Sequence, residues 1–184
     1  AQALGRFTQP NRSQTVAVAW YALGQADSIF AAQNLKSPRL ILAPNSNRAN
    51  AGKTGFLSDF RMINVSARYA QTVYEKPLTF NVDYVINTGA SDQRHGITGV
   101  VTYGSTNPVG GTRAGIQAFH MGQDATLAAF SNIDYAQTNT NGIGFFAGCH
   151  IMENLIVDLI VYLRKYDSPG TLISPVTNNV WRTR

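Results

Sequence analysis

The sequence predicts an all-β protein: an antiparallel β-sandwich, arranged as a jelly roll, with extended N- and C-terminal arms. Three observations predict it. Apolar residues alternate with period two along several short segments. Gly, Asn, Pro and Ser punctuate the gaps between those segments. No long amphipathic helix separates one segment from the next, which argues against βαβ units. The 184 residues suit one domain with one core, and 44% of them are apolar.

Residues 1–14 are polar and contain proline, and read as an N-terminal arm. The sandwich domain spans residues 15–170. Its first strand is Thr15–Tyr21 (TVAVAWY), followed by one or two helical turns over Ser28–Asn34 and a short strand at Arg39–Ala43 (RLILA). Phe60–Tyr69 alternates, and Leu78–Ile86 alternates cleanly, with Leu78, Phe80, Val82, Tyr84 and Ile86 on one side. Ile97–Tyr103, Gly115–His120, Thr126–Phe130 and Gly142–Ala147 follow as strands. The longest apolar run begins at Leu155. Leu155, Val157, Leu159, Val161 and Leu163 form one apolar parity, expected to face the core. The other parity, with Ile156, Asp158, Ile160, Tyr162, Arg164 and Tyr166, is mixed and is expected to pack on a second sheet or a neighbouring subunit. Asp167-Ser-Pro-Gly170 ends this strand with turn residues. Residues 171–184 read as a C-terminal arm. Asp158 interrupts the apolar run, which falls well short of 18 residues, so a membrane span is excluded and no membrane partner is expected.

Charged residues make up only 14% of the chain, and uncharged polar residues take their place. Such a surface suits a chain that lies against other protein. The net charge of +5 is concentrated in residues 1–70, which carry eight basic residues against Asp27 and Asp59. The basic residues are scattered, with no arginine-rich arm interleaved with aromatics, which disfavours nucleic acid as a partner. Cys149 is the only cysteine, so no intrachain disulfide forms. The opening AQALGRFTQPNRSQ shows no apolar signal-peptide core, and the sequons at Asn11 and Asn64 are expected to be unused.

No pattern points to chemistry. Ala51-Gly-Lys-Thr54 resembles the end of a phosphate-binding loop, but Asn47 stands where its first glycine belongs and a strand follows. His95, His120 and His150 are too far apart for a compact zinc motif, and Cys149 and His150 point to opposite faces of a strand. Asp83 and Asp158 sit mid-strand, where a solvated face or an arginine such as Arg164 accounts for them. Asp92, Asp124 and Asp134 fall in connections without a calcium-loop pattern. No catalytic residue, cofactor or metal site is assigned. The interface candidates are Arg6, Arg12, Tyr162, Tyr166, Trp181, Arg182 and Arg184, because Arg, Tyr and Trp dominate protein–protein hot spots.

The strand series from TVAVAWY to LIVDLIVYLRKY, the low charge and the polar arms resemble the single jelly-roll structural proteins of viruses, those that form, decorate or spike a capsid. Asn50-Ala-Gly-Lys-Thr-Gly-Phe-Leu57 is similar to a stretch of microvirus-type spike proteins. This resemblance implies a non-enzymatic virion subunit, located in the virion. It would assemble as a trimer or pentamer with itself and with other capsid proteins. The alternative is a carbohydrate- or receptor-binding sandwich, for which a glycan is the ligand.

Overall fold

The computed structural model describes residues 1–34, 47–128, 131, 138–167 and 179–183. The elements are β1 (Gln2–Gln9), β2 (Arg12–Leu23), α1 (Ala26–Asn34), β3 (Phe60–Val73), β4 (Lys76–Asn87), β5 (His95–Gly104), β6 (Thr112–Met121), β7 (Thr140–Met152), β8 (Leu155–Tyr166) and β9 (Asn179–Thr183). The all-β, antiparallel expectation holds. Among the described residues the nine strands form one sheet in consecutive order, each paired antiparallel with its neighbours in sequence.

That order corrects the topology. A jelly roll needs strands that return past their neighbours by long connections. Here every strand pairs with the one before it, which makes an up-and-down meander, and no second sheet faces it among the described residues. Alternation specifies that a strand has two unlike faces. It does not specify what covers either of them. The N-terminal arm is also corrected: Gln2–Gln9 pairs along its length with β2, turning at Pro10-Asn11. Asn179–Thr183, inside the expected C-terminal arm, pairs with Leu159–Leu163. Of Thr126–Phe130, the described residues Thr126–Ala128 lie in a connection rather than a strand. Arg39–Ala43 lies outside the described residues.

The two ends of the sheet differ. At one end the links are short: Pro10-Asn11, Tyr74-Glu75, residues 105–111 and Glu153-Asn154. At the other end they are long: residues 24–59, 122–139 and 167–178, with 88–94 between β4 and β5. Tyr74 and Glu75 both have positive φ, 46° and 64°, as a two-residue type I′ hairpin requires. The loop at residues 105–111 is pinned onto the end of β7: Gly110 N–H donates to the His150 carbonyl and His150 N–H to the Gly111 carbonyl, at 2.7 and 2.9 Å.

The hydrophobic core sits at the long-loop end. Phe60, Met62 and Val85 project from β3 and β4, and α1 and the connections bring Phe30, Phe56, Ala125 and Leu127 onto them. Phe56 stacks edge-on against both Phe30 and Phe60, with ring centroids 5.1 and 5.2 Å apart. Edge-to-face geometry sets the positive rim of one ring against the negative face of the next. The described parts of residues 24–59 and 122–139 therefore fold inward over one face of the sheet.

Candidate functional site

Residues that pair across an antiparallel ladder share a face, so the register assigns every strand residue to one of two sides. One rung of the first side runs Tyr69, Phe80, Val101, Ile116, Phe145 and Val161 from β3 to β8. The next runs Val16, Ala67, Val82, Gly99, Ala118, Ile143 and Leu163. These rungs carry no charged residue. They are also open to solvent: Val16 is 50% exposed, Phe145 46% and Leu163 50%, and Trp20, farther along the same face, is 52% exposed. The apolar parity of β8, expected in the core, therefore lies on the outside of this chain. The reason is topological: the strands form a single meander, and among the described residues no second sheet lies above that face.

Polar residues bound this apolar surface toward the long loops on β3 and β5 to β8, and toward the short turns on β2 to β4. Toward the long loops the same parity ends at Arg61, His95, His120, Asn141 and Lys165; toward the short turns it ends at Arg12, Gln71 and Lys76. The upper boundary moves toward the short turns by two rungs from Arg61 on β3 to Lys165 on β8. A level band drawn across tilted, staggered strands has this form. On β4 the band covers Leu78–Ile86, roughly 26 Å of strand at about 3.3 Å per residue.

The opposite face is polar and small. One rung runs Arg6, Thr15, Arg68, Asn81, Val100, Gln117, Gly144 and Tyr162, and the next runs Leu4, Ala17, Ser66, Asp83, Thr98, Phe119, Gly142 and Arg164. A concavity of about 210 Å³ lies here, lined by Thr15, Ser66, Arg68, Asn81, Asp83 and Thr98 among others. The glycines of β7 leave room for the large side chains of β8. A Cβ on Gly144 would stand 2.6 Å from the Tyr162 ring, and one on Gly148 would strike the Asp158 carboxylate. Arg113 donates to Asp158 through Nη2 at 2.9 Å and Nε at 3.2 Å. Asp158 is thus paired with an arginine, but Arg113 and not Arg164. Asp83 accepts from Asn64 Nδ2. Burial and then the Asp83 charge push the Tyr21 phenol above its usual value.

At the long-loop end a polar lock holds the connections on this face. The Asp124 side chain is fully buried; it accepts from Arg48 Nε at 2.8 Å, from Arg48 N–H at 3.0 Å and from Ser58 Oγ at 2.8 Å. Arg48 also reaches Asp92. Asn87, at the end of β4, donates to the Asp59 and Asp124 carbonyls, and Asn47 donates to those of Gln123 and Thr126. Buried amides and carboxylates satisfied in this way specify one loop arrangement. Ala51-Gly-Lys-Thr54 forms a turn within these loops, in which the Asn50 side chain accepts from Thr54 N–H.

The described residues among the interface candidates are spread across the sheet from β1 to β9. Arg6 is exposed on the polar face, and Arg12 starts β2 and donates to Gln9. Tyr162 is 4% exposed and packs edge-on against Phe119, with centroids 6.1 Å apart, so it belongs to the inside of the chain. Tyr166 ends β8; Trp181 and Arg182 lie in β9, opposite Val161 and Ile160; Arg184 lies outside the described residues. Cys149 and His150 do occupy opposite faces, and His150 Nδ1 lies 2.8 Å from the Thr106 carbonyl. The exposed band and the loop lock were not assigned from sequence. Low charge on both parities of successive strands was the available signal for the band. Nothing in the sequence pairs Arg48 with a carboxylate 76 residues away. No protein-family model, curated protein or solved structure matches this chain.

Proposed function

We propose that the nine strands are a wall of a transmembrane β-barrel, with the apolar band against lipid and the polar face toward an aqueous lumen. The observation that carries this reading is the band itself. It crosses β2 to β8 without a charge, and basic, amide or imidazole side chains bound it toward the long loops on β3 and β5 to β8 and toward the short turns on β2 to β4. A bilayer demands backbone groups paired between strands and apolar side chains outward, over about 9–11 residues per tilted strand. Short turns at one end and long loops at the other agree with such a wall. Tyr84, Tyr103 and Trp20 lie on the outward face, where amphipathic rings suit the headgroup region. The expectation of no membrane partner addressed helical spans; strands cross in half the number of residues.

A wall needs closure, because an unpaired strand edge is not tolerated in lipid. β1 and β9 run in the same direction, so an all-antiparallel barrel takes an odd number of further strands, from the same polypeptide or from another copy.

The test uses Trp20. Refolded into vesicles of phosphatidylcholine, a Trp181→Phe chain should show fluorescence strongly quenched when the acyl chains carry bromine. It should also resist extraction by carbonate. The competing reading, a virion subunit whose apolar face is covered by protein, predicts a stable oligomer in water and a Trp20 signal indifferent to brominated lipid.

A further inference from the structure

We infer that the polar face favours small anions, and that Arg6 and Arg68 set that preference. This rests on the lumen reading above. The two arginines belong to one rung, separated only by Thr15, and Asn81 continues the rung beyond Arg68. Two strand spacings place their backbones about 10 Å apart. Both side chains are exposed, and neither forms an ion pair among the described residues.

The carboxylates of the same wall do not cancel them. Asp158 is held by Arg113, which occupies both charges. Asp83 stands diagonal to Arg68 on the next rung and accepts from Asn64; it keeps its charge, but it is one negative charge against the two arginines, which leaves the pair's excess positive. The neighbours of the two arginines on the rung, the Thr15 hydroxyl and the Asn81 amide, can both donate. Guanidinium, hydroxyl and amide donors in one line suit chloride, phosphate or a small carboxylate, which accept hydrogen bonds and carry the opposite charge. A ring of fixed positive charge in a narrow aqueous passage selects anions.

The experiment is reversal potential in planar bilayers under a potassium chloride gradient, with the full chain and with Arg6→Gln, Arg68→Gln and Arg68→Glu. The expected result is a reversal potential displaced toward that of chloride. Each glutamine variant should move it toward zero, and Arg68→Glu should carry it toward potassium. Conductance that is unselective or cation-selective in the unaltered chain overturns the inference and leaves the membrane reading standing. Insertion without conductance also overturns it. A chain that neither inserts nor conducts overturns the membrane reading together with it. Trp20 quenching in each variant shows that the substituted chains still insert.

Discussion

Arg48 and Asp124 meet at 2.8 Å, with the carboxylate fully buried and the guanidinium still partly in solvent. The pair joins two connections that are far apart in sequence and holds both on the polar face. Asp124→Asn keeps the shape but leaves Arg48 without its buried counter-charge. Breaking such a pair costs about 3–5 kcal/mol when both groups are buried, and the exposure of Arg48 brings the expectation to about 2–4 kcal/mol. Urea unfolding in detergent micelles measures it. An unchanged midpoint would mean that the lock contributes nothing to stability.

The two faces of β4 predict opposite responses to the same side chain. Val82 lies on the apolar band and Asn81 on the polar face. Under the proposed reading Val82→Arg loses about 2–4 kcal/mol of folding free energy in a bilayer, as an arginine does at mid-depth on a lipid-facing strand. Asn81→Arg should cost under about 1 kcal/mol. Equal effects, measured by urea titration in vesicles, would argue that lipid does not contact Val82.

The hairpin at Tyr74-Glu75 forces two residues with side chains into the left-handed region. Glycine suits the second position of a type I′ turn. Glu75→Gly should therefore raise stability by about 0.5–1 kcal/mol, the relief of backbone strain being partly offset by the greater freedom of glycine in the unfolded chain. Comparing unfolding midpoints of the two chains checks it.

Tyr21 should titrate above its ordinary value of 10.0 in the folded protein, first through burial and second through Asp83. The difference in alkaline absorbance between the chain and Tyr21→Phe follows it, because the other seven of the eight tyrosines cancel. Asp83→Asn should lower the midpoint while leaving the part due to burial. For a phenol raised on folding, the unfolded chain loses its proton first. The stability from the neutral ring is present below the unfolded pKa and is lost as pH rises through and above it. A midpoint unmoved by Asp83→Asn would exclude the carboxylate as a cause.

Much of the fold was legible in the residues. Leu78–Ile86 and Leu155–Tyr166 announce strands because their side chains alternate, and alternation is a local property that the backbone turns directly into two faces. The N-terminal hairpin was not legible. Gln2–Gln9 exposes every residue and lacks a strong apolar pattern, so only its ladder to β2 makes it a strand. The turn at Tyr74-Glu75 lacks the glycine or asparagine that usually marks one.

By itself the sequence determined which residues lie together on a face, since period two needs no knowledge of the partner. It also determined that the chain is rich in strands and poor in charge. Only the tertiary structure decided which face is covered. The apolar side of each strand looked like core, yet Val82, Phe145 and Leu163 lie outside, and the buried contacts of β8 come from Tyr162 on its mixed side. The physical reason is that burial depends on what stands opposite a face. In a nine-stranded meander that is fixed by sheet order and by where the long loops fold, neither of which is written in any one strand.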